Sequence, residues 1–278
     1  MQTGSASRSA MGSALLRAAH VHEDDPPWVM KDTVSASLLD ADDVSRLEAS
    51  MSSWAPEVRR AWRVAHAVRA RLAEDVAVEG LAHGRRDYVL LGAGLDSFAW
   101  RHPRAAEFAI WEFDHPDTQA WKRASLRRRL MPEPANLRFV PVDLSATALD
   151  EAGTPPLATW NWLGVTMYLP RPATEKTLRT VAAHRPGTTL VVNFVLPARE
   201  LDELAAAVSE SAASAVAEAH EPVLACYTAA EAASMLRDAG FGDIRVLDAQ
   251  ALGRRYLSSK AQAPLRLPGS TVVAVATV

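Results

Sequence analysis

The stretch Asp87-Tyr88-Val89-Leu90-Leu91-Gly92-Ala93-Gly94-Leu95-Asp96 decides the fold. A short apolar run stands between charged residues and two glycines, the pattern of a strand buried on both faces of a sheet. Gly92 and Gly94 permit positive φ, and without side chains they let the backbone come close to a ligand. Similar apolar runs follow at 108–113, 137–142, 160–165, 189–196, 244–247 and 271–278. Helical stretches fill most of the intervals, as at 117–130, 173–184 and 229–239. Strand and helix in alternation predict an α/β fold with a mostly parallel, seven-stranded sheet and helices on both faces. The last two strands lie close together and suit an antiparallel edge.

Upstream of the first strand, residues 13–71 read as mostly helical, broken at Asp24-Asp25-Pro26-Pro27. From Glu57 to Leu81 apolar residues recur at three and four, which is helix period. Residues 1–12 are small and polar and are expected to be flexible. An Ala- and Glu-rich helix over about 201–219 interrupts the alternation, and its composition has high helix propensity. The expected organisation is therefore a single domain over 13–278. Segments 13–83 and 197–227 would form a helical cap over the carboxyl edge of the sheet, where open α/β sheets bind ligands.

Composition sets limits on function. Apolar residues make up 49% and charged residues 23% of the 278, as in ordinary globular domains. Thirty Lys and Arg against 33 Asp and Glu leave a net charge of −3, without the basic excess of a nucleic-acid-binding face. Arg127-Arg128-Arg129 is a dense basic run that suits a solvated helix face. A single cysteine, Cys226, cannot form an intramolecular disulfide, which fits a reducing compartment. The amino terminus lacks an apolar run long enough for a signal peptide, and no stretch approaches the roughly 20 apolar residues of a membrane span. A cytoplasmic enzyme acting on a small molecule, without nucleic acid or membrane and as monomer or homodimer, is the expectation.

The ligand is read from the strand ends. A nucleotide-binding loop predicts an acidic residue about 20 positions beyond its glycines, there to bind ribose hydroxyls. Asp114, followed by His115 and Pro116, stands at that place, with the N-cap of the next helix as its competing role. Ser97 occupies the third glycine position of the dinucleotide fingerprint, and Asp96 would repel a phosphate. Both features favour S-adenosylmethionine (SAM), which carries a sulfonium and an ammonium instead of phosphates. After the third strand, Asp143 could accept the adenine amino group while Leu144 packs on the ring. Trp160 and Trp162 suit either cation–π contact with the sulfonium or core packing. Acceptor hydroxyls need a base within hydrogen-bond reach, and His115, His220 and Tyr227 are available.

Taken together, residues 89–101, Glu112-Phe113-Asp114-His115-Pro116, Val142-Asp143-Leu144 and Met167-Tyr168-Leu169-Pro170 resemble the leucine carboxyl methyltransferase family, including its bacterial polyketide O-methyltransferase members. The resemblance runs from about Leu15 to the end of the chain. It implies a class I methyltransferase fold and SAM as cofactor. It further implies an arginine on the helix before the first strand that grips the SAM carboxylate, with Arg69 the first candidate and Arg71 the second. Asp114 would hold the ribose and Asp143 with Leu144 the adenine, with Tyr168 and His115 as candidates for the chemistry. One position departs from the family: Leu163 stands before Gly164 where an acidic residue is usual. Methyl transfer to a carboxylate or hydroxyl is the leading expectation. Alternatives are cyclisation of the aminobutyrate chain with release of methylthioadenosine, and a non-catalytic SAM-binding protein.

Overall fold

A computed structural model describes residues 7–144, 149, 153–218, 221–258 and 265–278. Four elements precede the glycine loop: α1 (Arg8–Glu23), α2 (Val34–Ser37), α3 (Ala41–Met51) and α4 (Pro56–Leu81). Then come β1 (Asp87–Leu91), α5 (Phe98–Arg101), β2 (Ala109–Asp114), α6 (Pro116–Arg128), β3 (Leu137–Pro141), β4 (Ala158–Trp162) and α7 (Arg171–Ala182). The chain closes with β5 (Thr189–Val195), α8 (Glu203–Glu218), α9 (Ala229–Ala239), β6 (Asp243–Leu247), α10 (Ala249–Tyr256) and β7 (Thr271–Thr277).

The seven strands form one sheet in the order β3-β2-β1-β4-β5-β7-β6. β1 through β5 pair in parallel, and β7 runs antiparallel to both β5 and β6. The expected antiparallel pair is thus present, with β7 inserted inside it against β5. From β1 the order runs one way through β2 and β3 and the other way through β4 and β5. That reversal opens a crevice at the carboxyl ends of β1 and β4, the usual ligand position in such sheets.

Both sheet faces are covered, which is why the strand sequences are apolar without alternation. On one face Val89, Leu91, Trp160, Trp162 and Val192 pack against Leu178 and Val181 of α7 and Leu236 of α9. On the other, Val64, Val68 and Leu72 of α4 meet Val191, Val273 and Val275. The expected strand at 160–165 lies two residues earlier. Residues 163–165 instead leave the sheet in a turn at Gly164, so Trp160 and Trp162 are fully buried core residues.

At the amino terminus the chain is more ordered than its small polar residues suggest. Ser7 caps α1, accepting from the Ala10 amide at 3.2 Å, so residues 8–12 are helical where flexibility was expected. Residues 1–6 lie outside the described residues. Buried charge fastens this end to the sheet. The Asp32 carboxylate binds Arg17 at 2.8 Å, Ser97 Oγ at 2.8 Å and the Ser35 amide at 3.0 Å. Burial alone would push that carboxyl up, but Arg17 and Arg101 outweigh it and hold it well below the usual range. Arg63 of α4 forks onto Asp24 at 2.7 Å, tying the end of α1 to α4, and there too the pull of Arg63 and His20 overcomes burial and leaves Asp24 at about 2.

Candidate functional site

A cavity of about 730 Å³ opens over the crevice between β1 and β4. Its floor is the loop after β1. Gly92 has φ +67° and Gly94 φ +52°, conformations that side chains other than glycine resist. Their amide environment is shared with the next strand end, since Gly92 N and Ala93 N donate to Phe113 O at 2.8 and 3.2 Å. Close approach matters as well, though to protein atoms: a Cβ on Gly94 would meet Ala10 Cβ at 2.9 Å, and one on Gly92 would collide with Val165.

Three carboxylates stand around this floor. Asp114 accepts hydrogen bonds from the amides of Gly94 and His115, locking the glycine loop to the end of β2. Burial pushes its carboxyl above the usual value, and the two amides oppose the shift. The N-cap of α6 is His115, whose Nδ1 accepts from Asp117 N at 3.3 Å, which leaves the Asp114 side chain for the cavity. Asp96 accepts from Phe98 N at 2.8 Å through one oxygen and lines the cavity. Asp143 and Leu144, beyond β3, line it from the far side.

The opposite wall is cationic and aromatic. Arg69, on α4, lies against Gly164, where a Cβ would come 3.2 Å from its Nη2. No hydrogen bond or ion pair joins the Arg69 guanidinium to another described residue, and burial together with the positive charge of Arg17 lowers its pKa to about 10. A half-buried cation that lines the cavity without a protein counter-ion is placed to receive an anion there. Arg71 is placed differently: it pairs with Asp75 at 2.7 Å, donates to Val29 O at 3.0 Å and stands outside the cavity lining. The structure therefore separates the two arginine candidates.

Leu163 and Gly164 line the cavity at the end of β4, and Gly164 N donates to Asn193 Oδ1 at 2.6 Å. Leu163 packs beside the apolar cluster under α4. Asn161, one turn of strand earlier, also faces the cavity and donates to the Tyr88 hydroxyl at 3.0 Å. Tyr168 reaches the cavity, its phenol hydrogen-bonded by Ser9 and pushed up by burial.

Several expected groups are elsewhere. Trp160 and Trp162 sit in the core with unpartnered Nε1 atoms and do not line the cavity, so core packing is their role. Tyr227 is likewise buried against Phe194 and does not line the cavity. His220 lies outside the described residues. His115 lines the cavity, but its Nδ1 is engaged in capping. The aromatic wall comes instead from Trp54 and Trp62, their ring centroids 5.7 Å apart, and from His66. Sequence reasoning missed these three. For Trp62 and His66 the available signal was the inward stripe of α4, where they precede Arg69 at spacings of four and three; Trp54 lies before that helix and had no such signal.

No group of three or more His, Cys, Asp or Glu suited to a metal ion occurs among the described residues. Nor is any helix among them long and apolar enough to cross a membrane.

Residues 10–182 match the family profile described as Leucine carboxyl methyltransferase. Among individual relatives, a Bacillus subtilis (strain 168) protein provisionally named an S-adenosyl-L-methionine-dependent methyltransferase, YktD, is 30% identical over 62% of this chain and 59% of its own length. A Mycolicibacterium gilvum (strain PYR-GCK) protein with the same provisional description is 36% identical over 50% of this chain and 48% of its own. The chain thus spans about half the length of the curated relatives it matches. Among solved structures, a Nostoc punctiforme protein provisionally described as an O-methyltransferase superposes with TM-score 0.51 at 13% identity, covering 97% of this chain and 72% of that one. The apo form of the S-adenosylmethionine-dependent methyltransferase SibL gives TM-score 0.50 at 16% identity, over 78% and 57%. At these identities the structural likeness is one of fold.

Proposed function

This chain belongs to the leucine carboxyl methyltransferase family, and from that premise we propose that it transfers the methyl group of SAM to a carboxylate or hydroxyl oxygen of a small molecule. The observation that carries the reading is Arg69, a half-buried guanidinium without a hydrogen-bond or ion-pair partner among the described residues, lining the cavity that Asp96, Asp114 and Asp143 also line. A cofactor with a carboxylate at one end and ribose hydroxyls and an adenine amine at the other matches that distribution of charge.

Arg69 would hold the cofactor carboxylate. Asp114 retains lone pairs beyond the two it gives to the Gly94 and His115 amides, and these would accept the ribose hydroxyls. Asp143 would take the adenine amine, with Leu144 against the ring. Asp96 is the carboxylate beside the glycines and would face the ammonium, a task the family usually gives to an acid at the position of Leu163. When bound, SAM supplies an electrophilic methyl group, and the protein contributes position, orientation and the exclusion of water.

A second reading is favoured by Leu163 itself. With an apolar side chain near the ammonium, the cofactor's amine is less firmly held, and ring closure of the aminobutyrate chain with loss of methylthioadenosine becomes the competing outcome. Incubation of the protein with SAM, with and without a panel of small carboxylic acids and alcohols, followed by mass spectrometry of the nucleosides, separates the readings. S-adenosylhomocysteine that appears only with an acceptor is expected. Methylthioadenosine from SAM alone would replace methyl transfer by cyclisation, and intact SAM under all conditions would replace both by binding without catalysis.

A further inference from the structure

His66 is a titratable group in the cavity that the assignments above leave unused. Its Nδ1 lies 2.9 Å from the Trp62 carbonyl oxygen, which can only accept, so the ring proton is on Nδ1 and Nε2 carries a bare lone pair. No described residue bonds Nε2. Burial, then the positive charges of Arg69 on the same helix and Arg17 on α1, push the imidazole pKa well below its ordinary value. The ring is therefore neutral at physiological pH, and its tautomer is fixed.

Beside His66 the cavity carries an aromatic and aliphatic lining. Trp62 stacks on the imidazole with centroids 5.5 Å apart, Trp54 lies against Trp62, and Leu47, Met51 and Val208 complete the wall from α3 and α8. Arg17 is engaged by Asp32 and by Leu95 O, and Arg69 is assigned to the cofactor. A carboxylate placed here would face a lone pair on Nε2. A hydroxyl would face an acceptor.

We propose that this end of the cavity is the acceptor subsite, that it takes a planar apolar molecule bearing a hydroxyl group, and that His66 Nε2 receives the hydroxyl proton. The inference rests on the SAM-dependent reading above and narrows it from carboxylate or hydroxyl to hydroxyl. In the step, the acceptor oxygen forms its bond to the methyl carbon while the carbon–sulfur bond breaks and its electron pair stays on sulfur. The hydroxyl proton passes to Nε2, which becomes basic enough to take it once the cofactor carboxylate neutralises Arg69 and the sulfonium charge is lost, and solvent removes it from the imidazolium after release. Trp54 and Trp62 position the ring of the acceptor, and His66 is the general base.

The test uses two probes that differ only at the oxygen, 2-naphthol and 2-methoxynaphthalene, titrated into protein saturated with S-adenosylhomocysteine and followed by tryptophan fluorescence. Wild type is expected to prefer 2-naphthol by about three- to tenfold, the size of one hydrogen bond. His66→Leu should abolish that preference while holding 2-methoxynaphthalene and S-adenosylhomocysteine within about twofold of wild type. His66→Gln, whose amide oxygen can accept but is a poor base, should keep part of the preference and lose methyl transfer to 2-naphthol. A preference that survives in His66→Leu overturns the proposal, as does a wild-type complex with S-adenosylhomocysteine that shows no preference. Failure of S-adenosylhomocysteine itself to bind wild type sinks the SAM-dependent reading, and this inference falls with it.

Discussion

At the sheet rim, the cavity-facing groups of β1 to β4 stand within a few residues of a strand end: Gly92 and Asp96, Asp114, Asp143, Gly164. Across the cavity the lining comes from α1, α3, α4 and α8, elements separated in sequence and joined only by tertiary packing. The rim is built locally, since a parallel strand must end where its neighbours end and the next residues then turn across the crevice. The cover is built at long range: Asp32 gathers Arg17, Ser97 and Arg101, and Arg63 gathers Asp24 and Glu23. The two halves also differ in character, with Asp96, Asp114 and Asp143 at the rim and Arg69, Trp54, Trp62 and His66 on the cover. That division is what a zwitterionic nucleoside and an apolar acceptor require in one cavity.

Because the rim supplies two of the proposed polar contacts to the nucleoside and the cover one, removing the rim carboxylates should have the largest effect. Asp114→Ala combined with Asp143→Ala is expected to weaken SAM binding by about a hundredfold or more, from roughly 1.5 to 3 kcal/mol for each hydrogen bond to a charged group, with the circular dichroism spectrum kept. Calorimetric titration reads it. On the cover, Arg69→Met should cost about thirtyfold in SAM affinity while Arg71→Met stays within about twofold, because only Arg69 faces the cavity. Equal losses in the two variants would erase the distinction between a cavity arginine and a surface one.

A third experiment probes burial of the cover. His66 has a folded-state pKa well below its unfolded value near 6.5, so the unfolded chain binds a proton that the folded chain refuses. Stability should fall as pH drops below about 6.5, and His66→Phe should remove that portion of the slope. Urea denaturation at pH 7 and pH 5 measures it, and parallel slopes for wild type and variant would show that His66 is not shielded as described. The smallest effect on the site is expected from the core beneath it. Trp160→Phe should lower stability by about 1 kcal/mol and leave SAM affinity within about twofold, since its ring packs among Val89, Phe113 and Leu190 and not in the cavity.

The same contrast explains what could be read from the amino-acid sequence. All seven strands were legible because strands covered on both faces leave unbroken apolar runs, and Asp114 and Asp143 followed from their places at strand ends. Trp160 and Trp162 were ambiguous because composition does not distinguish the last buried residue of a strand from the first exposed residue of a loop. The turn at Gly164 decides it. Residues 8–12 read as flexible because their order depends on Glu221, more than two hundred residues away, which binds Ser7 Oγ and Ser9 N. Arg69 and Arg71 differ only in which side of α4 they occupy once it is docked. His66 needed the same docking before its role could be considered.

The central claim is that rim and cover close on one zwitterionic nucleoside, and a crystal structure with S-adenosylhomocysteine tests it most directly. The account predicts the ligand carboxylate within hydrogen-bond distance of the Arg69 guanidinium and the ribose hydroxyls on Asp114. A nucleoside bound away from Asp114, or a carboxylate held by Arg71 with Arg69 untouched, would contradict it.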